Sequence, residues 1–150
     1  MKKFAFSLQK VMEVRQTEEK VLQRHLADAR YNLQLAQNEL EVLVQRLEDQ
    51  LTRKEKMHSA TMNSARYMLL QNYIQCLEED IDITRQHIDE LQEKVEEARH
   101  RLLEKSKEKK AIEKLRDSRF EDYKREAKKQ EQDFLDEITA QNGKSRAALS

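Results

Sequence analysis

Between residues 67 and 102 an apolar or small side chain returns at every third or fourth position without a break, at Tyr67, Leu70, Ile74, Leu77, Ile81, Thr84, Ile88, Leu91, Val95, Ala98 and Leu102. Steps that alternate three and four place all of these on one narrow stripe of an α-helix, and such a stripe is buried only against a second helix. A shorter run of the same kind precedes it, at Leu22, Leu26, Ala29, Leu33, Ala36, Leu40, Leu43 and Leu47. With no proline and one glycine in 150 residues, almost nothing interrupts either helix. Charged residues make up 39% of the chain and its mean hydropathy is −1.01, so the two stripes are the only candidates for a core. The fold class that follows is all-α.

The periodicity lapses once, over "TRKEKMHSATMNSAR" at residues 52–66, where Ser59, Thr61, Asn63 and Ser64 gather without Leu, Ile or Val. Side chains of this kind compete for backbone hydrogen bonds and can end one helix and cap the next. A bend is therefore predicted at about residues 59–64, between helix one (about 7–58) and helix two (about 65–141). Ser7 is a candidate cap for helix one, with Phe6 and Val11 as a hydrophobic staple. Gly143 is the candidate terminator of helix two, which leaves residues 142–150 as a frayed tail. One short bend between two striped helices favours a single antiparallel two-helix coiled-coil hairpin over 1–150, although two chains paired in parallel would bury the same stripes.

At about 1.5 Å per residue the helices differ in length, roughly 80 Å against roughly 115 Å. Folding near residue 61 pairs Leu47 with the region of Ile74 and Leu33 with that of Ile88, and helix one runs out just before Phe120. The longer second helix then overhangs at the terminal end. Its apolar residues Phe120, Tyr123, Phe134 and Ile138 are predicted to have no partner in the chain and to meet another molecule. Two weaker places are expected on the way. Arg15, Thr17, Glu18 and Glu19 crowd the face ahead of Leu22, and Lys105 and Lys109 fall on the second stripe, after which apolar residues resume in a shifted frame at Ile112 and Leu115.

Lys and Arg balance Asp and Glu at 29 each, so no overall field attracts nucleic acid. Within helix two the charge is uneven: Glu78 to Glu97 is mainly acidic and Lys105 to Lys129 mainly basic. That suggests different partners at the two ends, the basic end preferring an acidic surface. One cysteine, Cys76, fits a reducing compartment, and the absence of a long apolar run argues against membrane insertion or a signal peptide; the cytosol is expected. His25, His58, His87 and His100 form no His-x-x-x-His pair, and a two-helix rod offers no cavity to desolvate a catalytic group. No enzyme, cofactor or metal is expected.

The opening "FAFSLQKVMEVRQTEE", the "YMLLQNYIQCLEEDI" after the bend and the closing "KEKKAIEKLRDSRFEDYKREAKKQEQDFLDEI" together resemble the FliJ family of the flagellar type III export apparatus. The resemblance implies an antiparallel two-helix coiled coil similar to the central stalk of rotary ATPases. It implies as partners the hexameric flagellar export ATPase, whose ring assembly it would promote, the cytoplasmic part of the membrane-bound export gate, and empty export chaperones. Its place would be peripheral, at the cytoplasmic face of the inner membrane at the flagellar base. By the same resemblance Arg119, Phe120, Tyr123, Lys124, Phe134 and Ile138 would meet the ATPase, and Tyr73 and Leu77 the gate; Asp80 and Thr84 depart from the family's small and basic residues farther along. A generic coiled-coil scaffold or adaptor, and a chaperone-like holdase, fit the same stripe.

Overall fold

The stripes are buried as their spacing requires. A computed structural model of the chain describes residues 2–58 and 63–149 and contains two helices, α1 (Gln9–His58) and the longer α2 (Ser64–Leu149), packed against each other, with no strand among the described residues. Residues 59–62, on which most of the expected bend falls, lie outside the described residues. Asn63 caps α2: its Oδ1 accepts from the Ala65 amide at 3.1 Å and its carbonyl from Tyr67 at 3.1 Å. Contacts divide the chain into two units, Lys20–Leu103 and Met1–Glu19 with Glu104–Ser150.

In Lys20–Leu103 the two helices run antiparallel. Ala36 packs with Ile88 and Leu91, and Leu33 and Leu40 lean on them; seven residues later Leu43 packs with Leu77 and Ile81, flanked by Val44 and Leu47. Every stripe residue from Tyr67 to Leu102 is buried or half-buried. Thr84 is the one polar residue among those fully buried on this stripe. The core is one residue thick on each helix, so even Ile74, its least exposed member, keeps 2% of its surface.

In the other unit the helices pair by different means. α1 begins at Gln9, whose amide bonds the Phe6 carbonyl at 3.0 Å, and Phe6 and Met12 are buried while Val11 is exposed. The staple partner expected at Val11 is thus on the wrong face. Helix spacing explains it: Met12, and not Val11, lies on the stripe that includes Leu26.

Two expectations for α2 are corrected. The stripe does not change frame at Lys109, because Lys105, Lys109 and Ile112 are half-buried in the original frame and Leu115 is left exposed. The lysines stay because carboxylates face them, as described below. Nor does the helix stop at residue 141: it runs to Leu149, and Gly143 has no positive φ. Without a cap contact to hold a left-handed turn, an exposed glycine stays in the helix at a propensity cost. A Cβ at Gly143 would meet nothing within 4 Å. Gly143→Ala is therefore expected to stabilise this last stretch by about 0.5–1 kcal/mol, seen as slower amide exchange over residues 140–149; unchanged exchange would mean the stretch is not helical in solution.

Candidate partner-docking surface

The basic, aromatic part of α2 carries most of the residues singled out for the ATPase, and residues 2–7 lie against it. Phe4 meets Phe120 and Tyr123 at ring-centroid distances of 5.1 and 5.5 Å, and the Phe120 and Tyr123 rings are stacked at 6.3 Å. Tyr123 donates its hydroxyl proton to the Lys2 carbonyl at 2.7 Å, and Arg119 Nη1 donates to Ser7 Oγ at 2.9 Å. The Arg119 guanidinium also stands 5.7 Å from the Phe6 ring centroid. Lys124 Nζ lies 4.5 Å from the Phe120 ring centroid, favourable for a cation over a π face, and 3.4 Å from Glu121.

The expectation that Phe120 and Tyr123 have no partner in the chain is thereby overturned. Counting only helical residues as cover omits residues 2–6, which are not helical but hold two phenylalanines. Burying a phenylalanine is worth about 1.5–3 kcal/mol, enough to lay such a segment onto the nearest apolar stripe. The "FAF" at residues 4–6 was the available signal.

Farther along α2 the expectation of exposure holds. Beyond Ala127 every described residue is exposed, and Phe134 (62%), Leu135 and Ile138 share one face through their three- and four-residue spacing. Leu135 was not singled out from the sequence, although it lies three residues before Ile138.

Behind this surface, still within Met1–Glu19 and Glu104–Ser150, a layer of charge replaces the apolar stripe. Arg15 donates to Glu108 at 2.8 Å, Lys105 lies 3.3 Å from Glu18, and Lys109 lies 3.3 Å from Glu19. Ser106 Oγ donates to the same Glu19 at 3.3 Å, and the Glu19 side chain is only 14% exposed. Hydrogen bonds to Glu18, and then to Glu108, hold the Lys105 ammonium above its ordinary pKa of 10.5. A raised lysine pKa contributes stability that is complete below the unfolded value and is lost as pH rises through the folded value. The melting-temperature gap between wild type and Lys105→Gln is therefore expected to be constant from pH 6 to 9 and to shrink above about pH 10.5; a gap that persists at pH 12 would show that Lys105 acts through packing of its stem.

In Lys20–Leu103 the two residues assigned to the gate part company. Leu77 is 3% exposed, inside the cluster with Leu43 and Ile81, so its side chain serves the helix pair and offers no surface to a partner. Tyr73 is exposed, as are Met68 and Leu69. It borders an open cleft of ≈ 700 Å³ lined by Gln50, Arg53, Met57, Arg66, Leu69 and Leu70. Tyr67 is half-buried instead, its ring edge-on to His58 at 5.4 Å. Cys76 is exposed.

α1 and α2 make up most of the described residues, and the family model for the flagellar FliJ protein matches residues 4–148. The chain belongs to the FliJ family. Neither a curated protein nor a solved structure matches it. FliJ proteins are non-catalytic components of the flagellar export apparatus, which answers the choice left open between such a component and a scaffold of unrelated assembly. No described helix is long and apolar enough to cross a membrane. Among the described residues no group of three His, Cys, Asp or Glu side chains could hold a metal ion.

Proposed function

We propose that this FliJ-family chain couples the flagellar export ATPase ring to the cytoplasmic part of the export gate and promotes assembly of the ring, without chemistry of its own. The observation that carries the reading is the exposed stripe of Phe134, Leu135 and Ile138 on a stretch of α2 beyond Ala127 that is mainly polar and charged. Apolar residues kept in water at helical spacing mark a face for another molecule. The ATPase contact joins this stripe to Arg119, Phe120, Tyr123 and Lys124. The gate contact is assigned to Tyr73 and its exposed neighbours Met68 and Leu69, with Leu77 holding α2 in place beneath them. Handling of empty export chaperones by the same exposed faces is compatible with this arrangement.

A helix pair that docks differently to two conformations of a ring, or of a gate, shifts their populations by the difference in docking free energy. Purified chain mixed with the export ATPase of its own source is expected to raise ATP hydrolysis and ring formation at equimolar amounts. Absence of binding across a range of concentrations would overturn the proposal. Suppression of aggregation of unrelated proteins, with no effect on the ATPase, would instead establish a holdase.

A further inference from the structure

Residues 2–7 do more than cover apolar rings: we infer that this strap is itself part of the ATPase-docking surface, which is built jointly from the strap and from residues 119–124 of α2. The inference rests on the proposed docking to the ATPase and specifies its surface. Three of the α2 residues assigned to that contact are already engaged by the strap, Arg119 through Ser7, Phe120 through Phe4, and Tyr123 through both Phe4 and the Lys2 carbonyl. Lifting the strap would expose Phe6, which is buried, and break both hydrogen bonds at once. A partner arriving at this part of α2 therefore meets the strap in place.

With the strap seated, the surface has a definite chemistry. Phe120 remains 37% exposed beside a half-buried Phe4, so an aromatic patch is still presented. Glu121 and Asp122 are matched by Lys124 and Arg125 on their own helix at 3.4 and 3.9 Å. To this the strap adds two exposed cationic residues, Lys2 and Lys3. A rim of cations around an aromatic centre suits a face of the ATPase that sets carboxylates around an apolar contact.

The test measures binding of the full-length chain to its purified cognate export ATPase by titration at two salt concentrations. Lys2→Glu with Lys3→Glu alters only exposed side chains, so it reports docking without disturbing packing; Phe4→Ala removes the aromatic contribution, with helicity checked by circular dichroism. Each is expected to weaken binding about tenfold, the charge reversal more strongly at low salt. Wild-type binding that both variants leave unchanged, or that Phe4→Ala tightens, would overturn the joint surface, the second result making the strap an inhibitory cover, while the proposed docking stood. Failure of the wild-type chain to bind would overturn both.

Discussion

Phe134→Ala combined with Ile138→Ala is expected to remove most of the stimulation of the export ATPase while leaving the helix content of the chain unchanged. Both side chains are exposed and no described contact of the chain depends on them, so their loss withdraws apolar area from a partner and nothing from the fold. Truncating a pair of anchors typically costs an interface several kcal/mol, or at least a hundredfold in affinity. The pair is a cleaner probe than Phe120→Ala with Phe134→Ala, because Phe120 also packs on Phe4 and its removal disturbs the chain itself. Full stimulation by the Phe134 and Ile138 double variant would sink the role given to the exposed stripe.

Ile81→Ala and Ile83→Ala form a second matched experiment, two residues apart with opposite outcomes. Ile81 is 4% exposed in the cluster with Leu43 and Leu77, whereas Ile83 is 63% exposed. The first is expected to cost about 2–4 kcal/mol through lost burial and a cavity that a stripe one residue thick cannot refill, and the second within about 0.5 kcal/mol of nothing. In a cooperative unit of this size the Ile81 variant should melt about 10 °C or more below wild type. Equal melting of the two variants would mean that the helices do not pair as described.

The contrast between these two isoleucines was legible in the sequence, since the alternation of threes and fours includes residue 81 and passes over residue 83. The same alternation identified α1 and α2, and the short bend between them favoured the antiparallel pairing that sets Leu33 in the region of Ile88. Side chains that do not obey the alternation were the hard part. Phe4 and Phe6 belong to no helix, so periodicity said nothing of the surface they cover. Lys105 and Lys109 read as a lapse in the stripe, because a count of apolar residues does not register a carboxylate waiting opposite. Gly143 carried a stop signal that only a stabilising contact could have enforced. For the candidate surface, exposure of Phe134 and Ile138 followed from simple length, whereas Leu77 drew two opposed readings, since the alternation placed it on the buried stripe and the resemblance at a partner surface, and the alternation was right.

The layer of Arg15, Glu18 and Glu19 against Lys105, Glu108 and Lys109 has one more consequence. An apolar heptad seam is nearly periodic, and sliding one helix by seven residues sets leucine against leucine again at little cost. Charges do not tolerate the slide. A shift one way would put Glu18 against Ala98 and Glu19 against Leu102; a shift the other way gives Glu19 a cation in Arg116 but leaves Glu18 facing Ile112. Either slide takes Lys105 from Glu18 and sets an apolar side chain against it, so that ion pair is lost and a partly exposed carboxylate is crowded by apolar groups. Within Met1–Glu19 and Glu104–Ser150 the layer therefore acts as a vernier mark, favouring the alignment at which all of its charges are matched.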